Sequence, residues 1–444
     1  MTDDALRHAL LTARVPRYTS YPPADRFTPR IGAPQMGAWL QAVPAGDRVS
    51  LYVHVPFCRR LCWFCACRTQ GTRSDAPLDR YLDHLAQEVA AVADRLPPVA
   101  ISALHLGGGT PTLLSPDRLD RLAAMLARAF PIGRATEVSV EIDPTESDSA
   151  RLDALARMGL SRASIGVQDF DEAVQAAIGR RQSAEVTAAA VRGLRDRGVP
   201  SVNVDLLYGL PFQTGDSLAR TIDTVLDLGP DRIALYGYAH VPWIARRQTL
   251  IPERALPRPE ARLALSDQAR ARLLDAGYVA VGIDHFALPG DSLARAAAEG
   301  RLRRNFQGYT TDTAETLVAL GPSAISRFRQ GYVQNAPSTH AWQDALDRGA
   351  LPAARGIALT AADRVTARVI EALMCDGRVD LAAIDRAGGA DLLATARAAL
   401  DRYPGAGRIE GTSLILATPA AARLVAQGFD PGAGDAPRRY SQVS

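Results

Sequence analysis

Short runs of β-branched residues alternate with longer amphipathic segments through most of this chain. Such runs predict seven strands, at residues 50–56, 101–106, 136–142, 162–167, 201–208, 231–238 and 278–283. The segments between them place apolar residues at positions i, i+3, i+4 and i+7, which is typical of helices that bury one face. Strands that are separated by helices pair in parallel. The pattern therefore predicts an α/β fold, either a doubly wound sheet or a full or partial (β/α) barrel.

The composition along the chain divides it into three parts. Residues 1–31 contain proline, arginine and aromatic residues without periodicity, which predicts an extended N-terminal arm. Residues 32–358 contain the alternating pattern and, from residue 292 onward, a less regular segment. Residues 359–444 are mostly helical in pattern, and residues 408–417 are typical of a two-stranded wing. We therefore expect a small, mostly helical, winged-helix-like C-terminal domain.

The charge balance excludes several classes of function. All 51 basic residues are arginine, and 48 acidic residues leave a net charge of +3. So small an excess over so long a chain gives no electrostatic surface for nucleic acid or for an anionic membrane. The absence of lysine also excludes a lysine Schiff base and a P-loop lysine.

The hydropathy pattern and the first residues bear on the location of the protein. No apolar run approaches the ~18 residues of a membrane span. The first residues, MTDDALRHALLTAR, carry acids where a signal peptide needs basic residues, and they have no apolar core. We therefore expect a cytoplasmic protein that has no membrane or nucleic-acid partner.

Four of the five cysteines fall within ten residues, directly after the first predicted strand. Cys58, Cys62 and Cys65 have the spacing C-x3-C-x2-C, and Cys67 follows them. Thiolates at this spacing on one loop can bind three corners of an iron–sulfur cluster, whose usual ligand set is four thiolates. A structural zinc site needs a second ligand pair, which the scattered histidines do not supply, and a cytoplasmic location disfavours disulfides. The run therefore favours a [4Fe–4S] cluster over zinc, with one iron open to another ligand.

A glycine run and several polar residues stand where predicted strands end. The run GGGT at 107–110 either lets the backbone approach a ligand closely or forms a tight turn. Glu141 and Gln168 end the next two strands, and Asp205 lies within the one after. Because the ligand sites of barrels gather at the carboxyl ends of their strands, we favour ligand contact for these three residues. Arg180 follows a predicted helix, where a solvated side chain is the default.

The motifs together resemble one family, the oxygen-independent coproporphyrinogen III dehydrogenases (oxidases) of haem biosynthesis. That family lies in the radical S-adenosylmethionine (SAM) superfamily, to whose cluster loop the three-cysteine spacing is similar. The resemblance covers nearly the whole chain and rests on RYTSYP (17–22), LYVHVPFC (51–58), the cysteine run (58–67), GGGTP (107–111), EIDP (141–144), YAH (238–240), DHF (284–286), RNFQGYTT (304–311), GPSAIS (321–326) and LMC (373–375). Each short run alone is a weak signal, whereas the whole series in order is highly specific.

The resemblance implies a fold and a reaction. The fold is a partial (β/α)6 TIM-like radical SAM barrel, here the catalytic domain over residues 32–358. The family converts the propionates on rings A and B of coproporphyrinogen III to vinyl groups, which gives protoporphyrinogen IX and CO2. Its members use a [4Fe–4S] cluster, two SAM molecules and a low-potential electron donor, and a 5′-deoxyadenosyl radical removes the hydrogen atom. The resemblance also implies a monomer.

Matching the motifs residue by residue assigns roles to positions of this chain. The metal ligands would be Cys58, Cys62 and Cys65. The cluster-bound SAM would contact Tyr52, Gly108, Glu141 and Ile325. The second SAM would contact Phe64, Gly109, Thr110, Gln168, Arg180, Asp205 and Ala239.

Two further residues are candidates for the reaction itself. Cys67 belongs to the family pattern without being a cluster ligand in it, and the resemblance implies a role in activity. Arg17 lies in the arm, which can fold over the site as a lid. Its guanidinium suits a carboxylate of the substrate as a bidentate partner.

Three other functions remain open at this point. A haem-binding chaperone of the same superfamily keeps three cysteines but carries haem. Such relatives typically have another residue at the position of Cys67 and lack the RYTSYP arm, and both features are present here. A radical enzyme that acts on another substrate is disfavoured by the runs within 286–326. A metal-free regulatory protein built on the winged-helix tail is the third.

Overall fold

The first part of the chain forms parallel strands that are separated by helices. A computed structural model describes residues 2–384 and 391–433. In chain order, the elements up to residue 275 are α1 (Thr2–Thr12), α2 (Ala33–Gln41), β1 (Arg48–Val55), β2 (Phe57–Cys58), β3 (Gln70–Gly71), α3 (Ala76–Ala93), β4 (Ala100–Gly108), α4 (Pro116–Ala129), β5 (Glu137–Ile142), α5 (Ser149–Arg157), β6 (Leu160–Gln168), α6 (Glu172–Ala177), α7 (Ala184–Asp196), β7 (Ser201–Tyr208), α8 (Gly215–Asp227), β8 (Arg232–Gly237) and α9 (Pro259–Asp275). The first six predicted strands are thus confirmed as β1 and β4–β8.

The rest of the chain adds antiparallel strands and a second, smaller sheet. In chain order, the elements from residue 279 onward are β9 (Val279–Val281), β10 (His285–Ala287), α10 (Ser292–Ala298), β11 (Arg303–Asn305), β12 (Gly308–Thr310), β13 (Thr316–Leu320), β14 (Ile325–Phe328), β15 (Gly331–Asn335), α11 (Thr339–Asp347), β16 (Ala353–Ala358), α12 (Ala361–Asp376), β17 (Arg378–Asp380), α13 (Leu381–Ile384), α14 (Leu392–Arg402), β18 (Gly407–Glu410), β19 (Ser413–Leu416) and α15 (Ala422–Gly428). The seventh predicted strand is β9, which pairs antiparallel with β10.

One large sheet organises the main domain. Its strand order is β16-β15-β14-β13-β1-β4-β5-β6-β7-β8-β10-β9. The neighbours from β13 through β1 to β8 are parallel, and the strands at both ends are antiparallel. Residues of β1, β4–β8, β10 and β13 line a single cavity, so the sheet curves around it. The architecture confirms the expected partial (β/α)6 barrel.

Helices cover the outer face of this sheet. In α4, for example, Leu119, Leu122, Met125 and Leu126 are buried and lie on one side of the helix. They belong to a core that also contains the outward-facing apolar residues of β1 and β4–β8. Removing such apolar surface from water is the main force that holds the helices on the sheet. The inner face of the sheet is left for the cavity.

The C-terminal region has the element order of a winged helix. Three helices and three strands follow in the order α12-β17-α13-α14-β18-β19, and the small sheet has the order β17-β19-β18. A turn at Gly411 joins β18 to β19, and its φ of 60° suits glycine. The winged-helix-like domain is thereby confirmed for the described residues. Residues 434–444 of the predicted domain 359–444 lie outside them.

The N-terminal segment differs from the expected extended arm. Residues 2–12 form helix α1, and an irregular stretch follows it. Leu6 and Leu10, four residues apart on α1, join Tyr18 and Tyr21 in one core with the C-terminal helices. Two buried leucines are too short a pattern to predict a helix, which is stabilised here by tertiary packing. The boundaries at residues 31 and 358 stay predictions.

A buried carboxylate fastens this segment to the end of the described chain. Asp430 accepts hydrogen bonds from Arg26 Nη2 at 2.6 and 2.7 Å. It also accepts one from the Tyr18 hydroxyl at 3.1 Å. We call this group the Asp430 clasp. No helix of the described ranges is both long and apolar enough to cross a bilayer.

Candidate active site

A cavity with many polar residues in its lining lies inside the curved sheet and extends to the carboxyl ends of its strands. We call it the main cavity, and its volume is about 370 Å³, within the range of about 300–1,000 Å³ that is typical of ligand sites. Alternate residues of each strand line it: Glu137, Ser139 and Glu141 in β5, and Arg162 and Ser164 in β6. Side chains alternate across a strand, so β5 and β6 each present a polar row to the cavity and an apolar row to the helices.

The cysteine loop, residues 58–69, is held at its base and along its length. At the base, β2 and β3 pair in parallel. Further along, Gln248 Nε2 donates to the carbonyl oxygen of Phe64 at 2.7 Å. Arg247 donates to Thr69 O at 2.9 Å and to Thr69 Oγ1 at 3.1 Å. The loop is therefore fixed by residues far from it in the sequence.

The thiols of this loop open onto the main cavity. Its lining includes Cys58, Cys62, Cys65 and Cys67, and all five cysteines of the chain are free thiols. Hydrogen bonds from the Cys67 side chain and backbone lower the pKa of Cys65 to about 7, which favours the thiolate that binds metal. No three His, Cys, Asp or Glu side chains of the described residues are grouped to hold a metal ion. In a cluster each cysteine binds a different iron, so its thiolates need not converge on one point.

The glycine run forms a close turn against the start of the cysteine loop. Gly109 N donates to Val55 O at 2.8 Å. A β-carbon on Gly109 would lie 2.4 Å from Phe57 O. Gly108 has a φ of 104°, and a β-carbon there would lie 2.3 Å from the ring of His54. Space excludes a side chain at both positions, and at Gly108 the left-handed backbone conformation excludes it as well.

Glu141 lies beside this turn at the end of β5. Its Oε2 accepts a hydrogen bond from Gly108 N at 2.9 Å, and its Oε1 lies 3.5 Å from His105 Nε2. Burial would raise the pKa of Glu141, but the hydrogen bond and charge of His105 together with the Gly108 N–H lower it. The carboxylate is therefore ionised at neutral pH and can accept hydrogen bonds from a cationic ligand.

Arg180 lies inside the site although its position in the sequence favours a solvated side chain. Its side chain is 9% exposed. Nη1 lies 3.3 Å from Asp143 Oδ2 and 3.5 Å from Cys62 Sγ, and Nη2 donates to Gly166 O at 2.7 Å. Nε is buried and has no hydrogen-bond partner in the part of the chain that the structure describes. The guanidinium thus joins the cysteine loop to the ends of β5 and β6.

Asp205 faces the cavity from β7. Its Oδ2 accepts from Ser164 Oγ at 3.0 Å and its Oδ1 from Asn203 Nδ2 at 2.8 Å. Burial, and then the charge of Glu141, raise the pKa of Asp205 to about 6. Both carboxylate oxygens are oriented, and each keeps further capacity to accept a hydrogen bond.

Most of the residues predicted for the site meet at the main cavity. Its lining contains Cys58, Cys62, Cys65, Cys67, Phe64, Gly108, Gly109, Thr110, Glu141, Gln168, Arg180 and Asp205. Tyr52 and Ile325 are outside that lining. The Tyr52 ring stacks on His105 with centroids 5.6 Å apart, and Ile325 begins β14. All three residues that their strand positions predicted, Glu141, Gln168 and Asp205, therefore line the cavity.

Two further predicted residues are also outside the lining. The carbonyl oxygen of Ala239 accepts from Gln248 Nε2 at 3.1 Å, so Ala239 adjoins the support of the cysteine loop. Arg17 is half-buried, and its Nη2 donates to Gly237 O at 2.9 Å. The guanidinium thus ties the N-terminal segment to the end of β8, and its role toward a substrate stays a prediction.

His285 lines the main cavity and pairs with Asp284, which is outside that lining; the search for polar residues at strand ends did not find this pair. His285 Nδ1 lies 2.8 Å from Asp284 Oδ1, and His285 Nε2 lies 3.4 Å from the Tyr236 hydroxyl. Burial would raise the pKa of Asp284, but the hydrogen bond and charge of His285 and the charge of Arg423 lower it to about 2. The sequence signal for this pair was the run DHF, which marked the resemblance without indicating a role.

Comparison with known proteins identifies the family. The model of the radical SAM superfamily matches residues 52–225. The oxygen-independent coproporphyrinogen III oxidase of Paracoccus denitrificans is 57% identical over 371 residues, which are 83% of this chain and 82% of that protein. The protein of the same name from Cereibacter sphaeroides is 50% identical over 427 residues, 95% of each chain. The chain belongs to the oxygen-independent coproporphyrinogen III oxidase family.

A solved structure of this family shares the fold. It is described as a radical SAM enzyme, the coproporphyrinogen III oxidase of Escherichia coli, and is 36% identical with a TM-score of 0.89. The match covers 94% of this chain and 100% of that one. This member of the oxidase family is therefore a radical SAM enzyme and an oxidoreductase. Radical SAM enzymes use a [4Fe–4S] cluster and SAM.

The residues of the site fit both groups. Three free thiols of one fixed loop share the main cavity, which is the donor type that iron–sulfur clusters require. Beside them, the glycine turn leaves no space for a β-carbon. The ionised Glu141 and the oriented Asp205 offer acceptors for the amino and hydroxyl groups of SAM. The donor set thus matches an iron–sulfur cluster together with a ligand that bears amino and hydroxyl groups.

Proposed function

We propose that the protein converts coproporphyrinogen III to protoporphyrinogen IX without oxygen. The main support for this proposal is that Cys58, Cys62 and Cys65 open onto the same cavity as the glycine turn and Glu141. Relatives named for this reaction share half or more of the sequence over most of their length. Each of two propionates would lose a hydrogen atom from its β-carbon, CO2 and one electron, and would become a vinyl group.

The residues of the site have distinct roles in this proposal. Cys58, Cys62 and Cys65 hold the cluster, and Glu141 orients the amino group of SAM with the glycine turn. When bound, the cluster and SAM would supply the radical chemistry that removes a hydrogen atom from an unactivated C–H bond. Cys67 lines the main cavity and is exposed, and we propose that it acts on the substrate.

We further propose that two SAM molecules bind in the main cavity. Phe64, Gly109, Thr110, Gln168, Arg180, Asp205 and Ala239 would contact the second. All but Ala239 line the cavity. Asp205 is suited to this role because Ser164 and Asn203 orient its carboxylate without neutralising it. Tyr52, Gly108, Glu141 and Ile325 would contact the first.

Changing Asp205→Ala tests the second SAM. We expect bound SAM per chain to fall from about two to about one, while the iron–sulfur absorbance stays unchanged. The measurement is equilibrium dialysis of the anaerobically reconstituted protein with labelled SAM. Asp227→Ala serves as the control, because Asp227 is exposed on α8 and is not part of the cavity lining. Loss of the cluster spectrum in the Asp205 variant would contradict the assignment.

An anaerobic assay tests the proposed reaction. Reconstituted protein is mixed with SAM, a low-potential reductant, an electron acceptor and coproporphyrinogen III, and the products are oxidised and separated as porphyrins. We expect protoporphyrin with about two 5′-deoxyadenosines per molecule. Formation of 5′-deoxyadenosine without a change in the porphyrin would point to another substrate. Tight stoichiometric haem binding without turnover would support the haem-chaperone alternative instead.

The proposal also covers the location of the protein, its oligomeric state and its source of electrons. We propose a cytoplasmic monomer that receives electrons from a low-potential donor. The free state of all five cysteines is consistent with a reducing compartment.

A further inference from the structure

A small arginine-rich pocket adjoins the main cavity on the side away from the cysteine loop. We call it the side pocket. Its lining is Thr19, Ser20, Ser50, Arg303, Arg304, Asn305, Phe306, Thr310, Asp312, Ala314, Leu317, Arg327 and Tyr332. Its volume is about 40 Å³, whereas one water needs about 10–15 Å³. The pocket therefore has room for the two oxygens of a carboxylate and little more.

The three arginines of the side pocket are not equally neutralised. Arg303 forms an ion pair with Glu371 at 3.0 Å. Arg304 donates from Nη1 to the carbonyl oxygen of Tyr18, which leaves its positive charge in place. Arg327 is half-buried and has no hydrogen-bond or ion-pair partner among the described residues. Two guanidinium groups in one small pocket thus keep their charge.

The carboxylate of the side pocket does not neutralise these arginines. Asp312 Oδ2 accepts hydrogen bonds from the hydroxyls of Ser50 and Ser102, the latter at 3.1 Å. No ion pair joins Asp312 to an arginine of the described chain at 4 Å or less. The pocket therefore carries a net positive charge, and a partly desolvated guanidinium of this kind is suited to bind a carboxylate.

The position of the side pocket indicates which ligand reaches it. Ser50, Asn305, Thr310, Asp312 and Leu317 line both the side pocket and the main cavity, so the two are continuous. No residue of the cysteine loop lines the side pocket. Ser50 and Val55 lie five residues apart on β1, which corresponds to about 16 Å. Only an extended ligand reaches from the cysteine loop to this pocket.

We propose that the side pocket binds a propionate carboxylate of the substrate through Arg327 and Arg304. This inference rests on the proposed function, in which the substrate carries four propionates and two of them react. A reacting propionate must lie beside the cysteine loop, so the side pocket holds one that is retained. Ser20, from the N-terminal segment, also lines this pocket. The segment thus closes the substrate site from one side.

The test compares two arginines of the same region. Arg327→Gln removes the unpaired cation, and Arg327→Lys keeps its charge. Arg329→Gln is the matched control, because Arg329 is half-exposed and pairs with Asp47 and Glu315 outside the side pocket. The probe is coproporphyrin III, the stable oxidised analogue with the same propionates, titrated by fluorescence into the reconstituted enzyme. Its tetramethyl ester, which lacks the charges, is titrated in parallel.

We expect the affinity for coproporphyrin III to fall about ten- to hundredfold in Arg327→Gln. It should recover in part in Arg327→Lys and stay unchanged in Arg329→Gln. The ester should bind wild type and Arg327→Gln equally, and the SAM affinity and the cluster spectrum should not change.

Equal coproporphyrin affinity in wild type and Arg327→Gln would overturn this inference and leave the proposed function standing. A fall in SAM affinity instead would assign the pocket to the SAM carboxylate and also overturn it. A wild-type enzyme that neither binds coproporphyrin nor converts coproporphyrinogen would overturn the proposed function and the inference with it.

Discussion

Replacing Gly109 by alanine is expected to lower activity by about a hundredfold and to reduce the iron content of the reconstituted enzyme. The new β-carbon would lie 2.4 Å from Phe57 O and 2.7 Å from Val55 O. Both contacts are backbone atoms, so no side-chain rotation can relieve them. The chain directly before Cys58 must shift instead, and a misplacement of about 1 Å near a reacting centre costs about a hundredfold in rate.

The measurement is iron per chain and the rate of 5′-deoxyadenosine formation, each relative to wild type. Gly133→Ala is the matched control, because a β-carbon on Gly133 has no atom within 4 Å. We expect that variant to keep both quantities. Full cluster content together with full activity in Gly109→Ala would show that the turn can move without displacing the cysteine loop.

The strand pattern was sufficient to predict the barrel and much of its site. In β5 the residues Glu137, Ser139 and Glu141 alternate with Val138 and Val140, which places the polar row on one face. The same period of two is present in β6. Carboxyl ends of parallel strands meet at one edge, so a rule about strand ends also found Gln168 and Asp205. If the alternation of side chains had been followed along whole strands and not only at their ends, it would also have predicted that Ser139 and Ser164 line the cavity.

Other features depend on contacts between residues that are distant in the sequence. β13 is short and follows an irregular segment, and it becomes a strand by pairing in parallel with β1. Arg180 follows a helix, and only the packing of Asp143 and Cys62 around it shows that it is buried. The side pocket joins the N-terminal segment to β11 and β14, which no local pattern indicates. Local periodicity predicts elements and their faces, whereas such contacts follow from the tertiary arrangement.

The second large effect is expected at the Asp430 clasp, which holds the N-terminal segment against the C-terminal domain. The Asp430 side chain is fully buried and the Arg26 side chain is 14% exposed. Removing one partner of a buried pair leaves the other charge uncompensated, which costs about 3–5 kcal/mol. Since Arg26 keeps some contact with water, we expect Asp430→Ala to lower the local free energy of unfolding by about 3 kcal/mol.

Hydrogen exchange measured by mass spectrometry would report this loss region by region. A change of about 3 kcal/mol corresponds to roughly a hundredfold faster exchange, expected for protected amides of α1 and α15 and not for those of β1 and β4. Asp401→Ala is the control, because Asp401 is exposed on α14.

The N-terminal segment also supplies Ser20 to the side pocket. Asp430→Ala should therefore raise KM for coproporphyrinogen III more than it lowers kcat. Exchange that accelerates equally in the main sheet would contradict a local clasp and indicate that the two cores unfold as one unit.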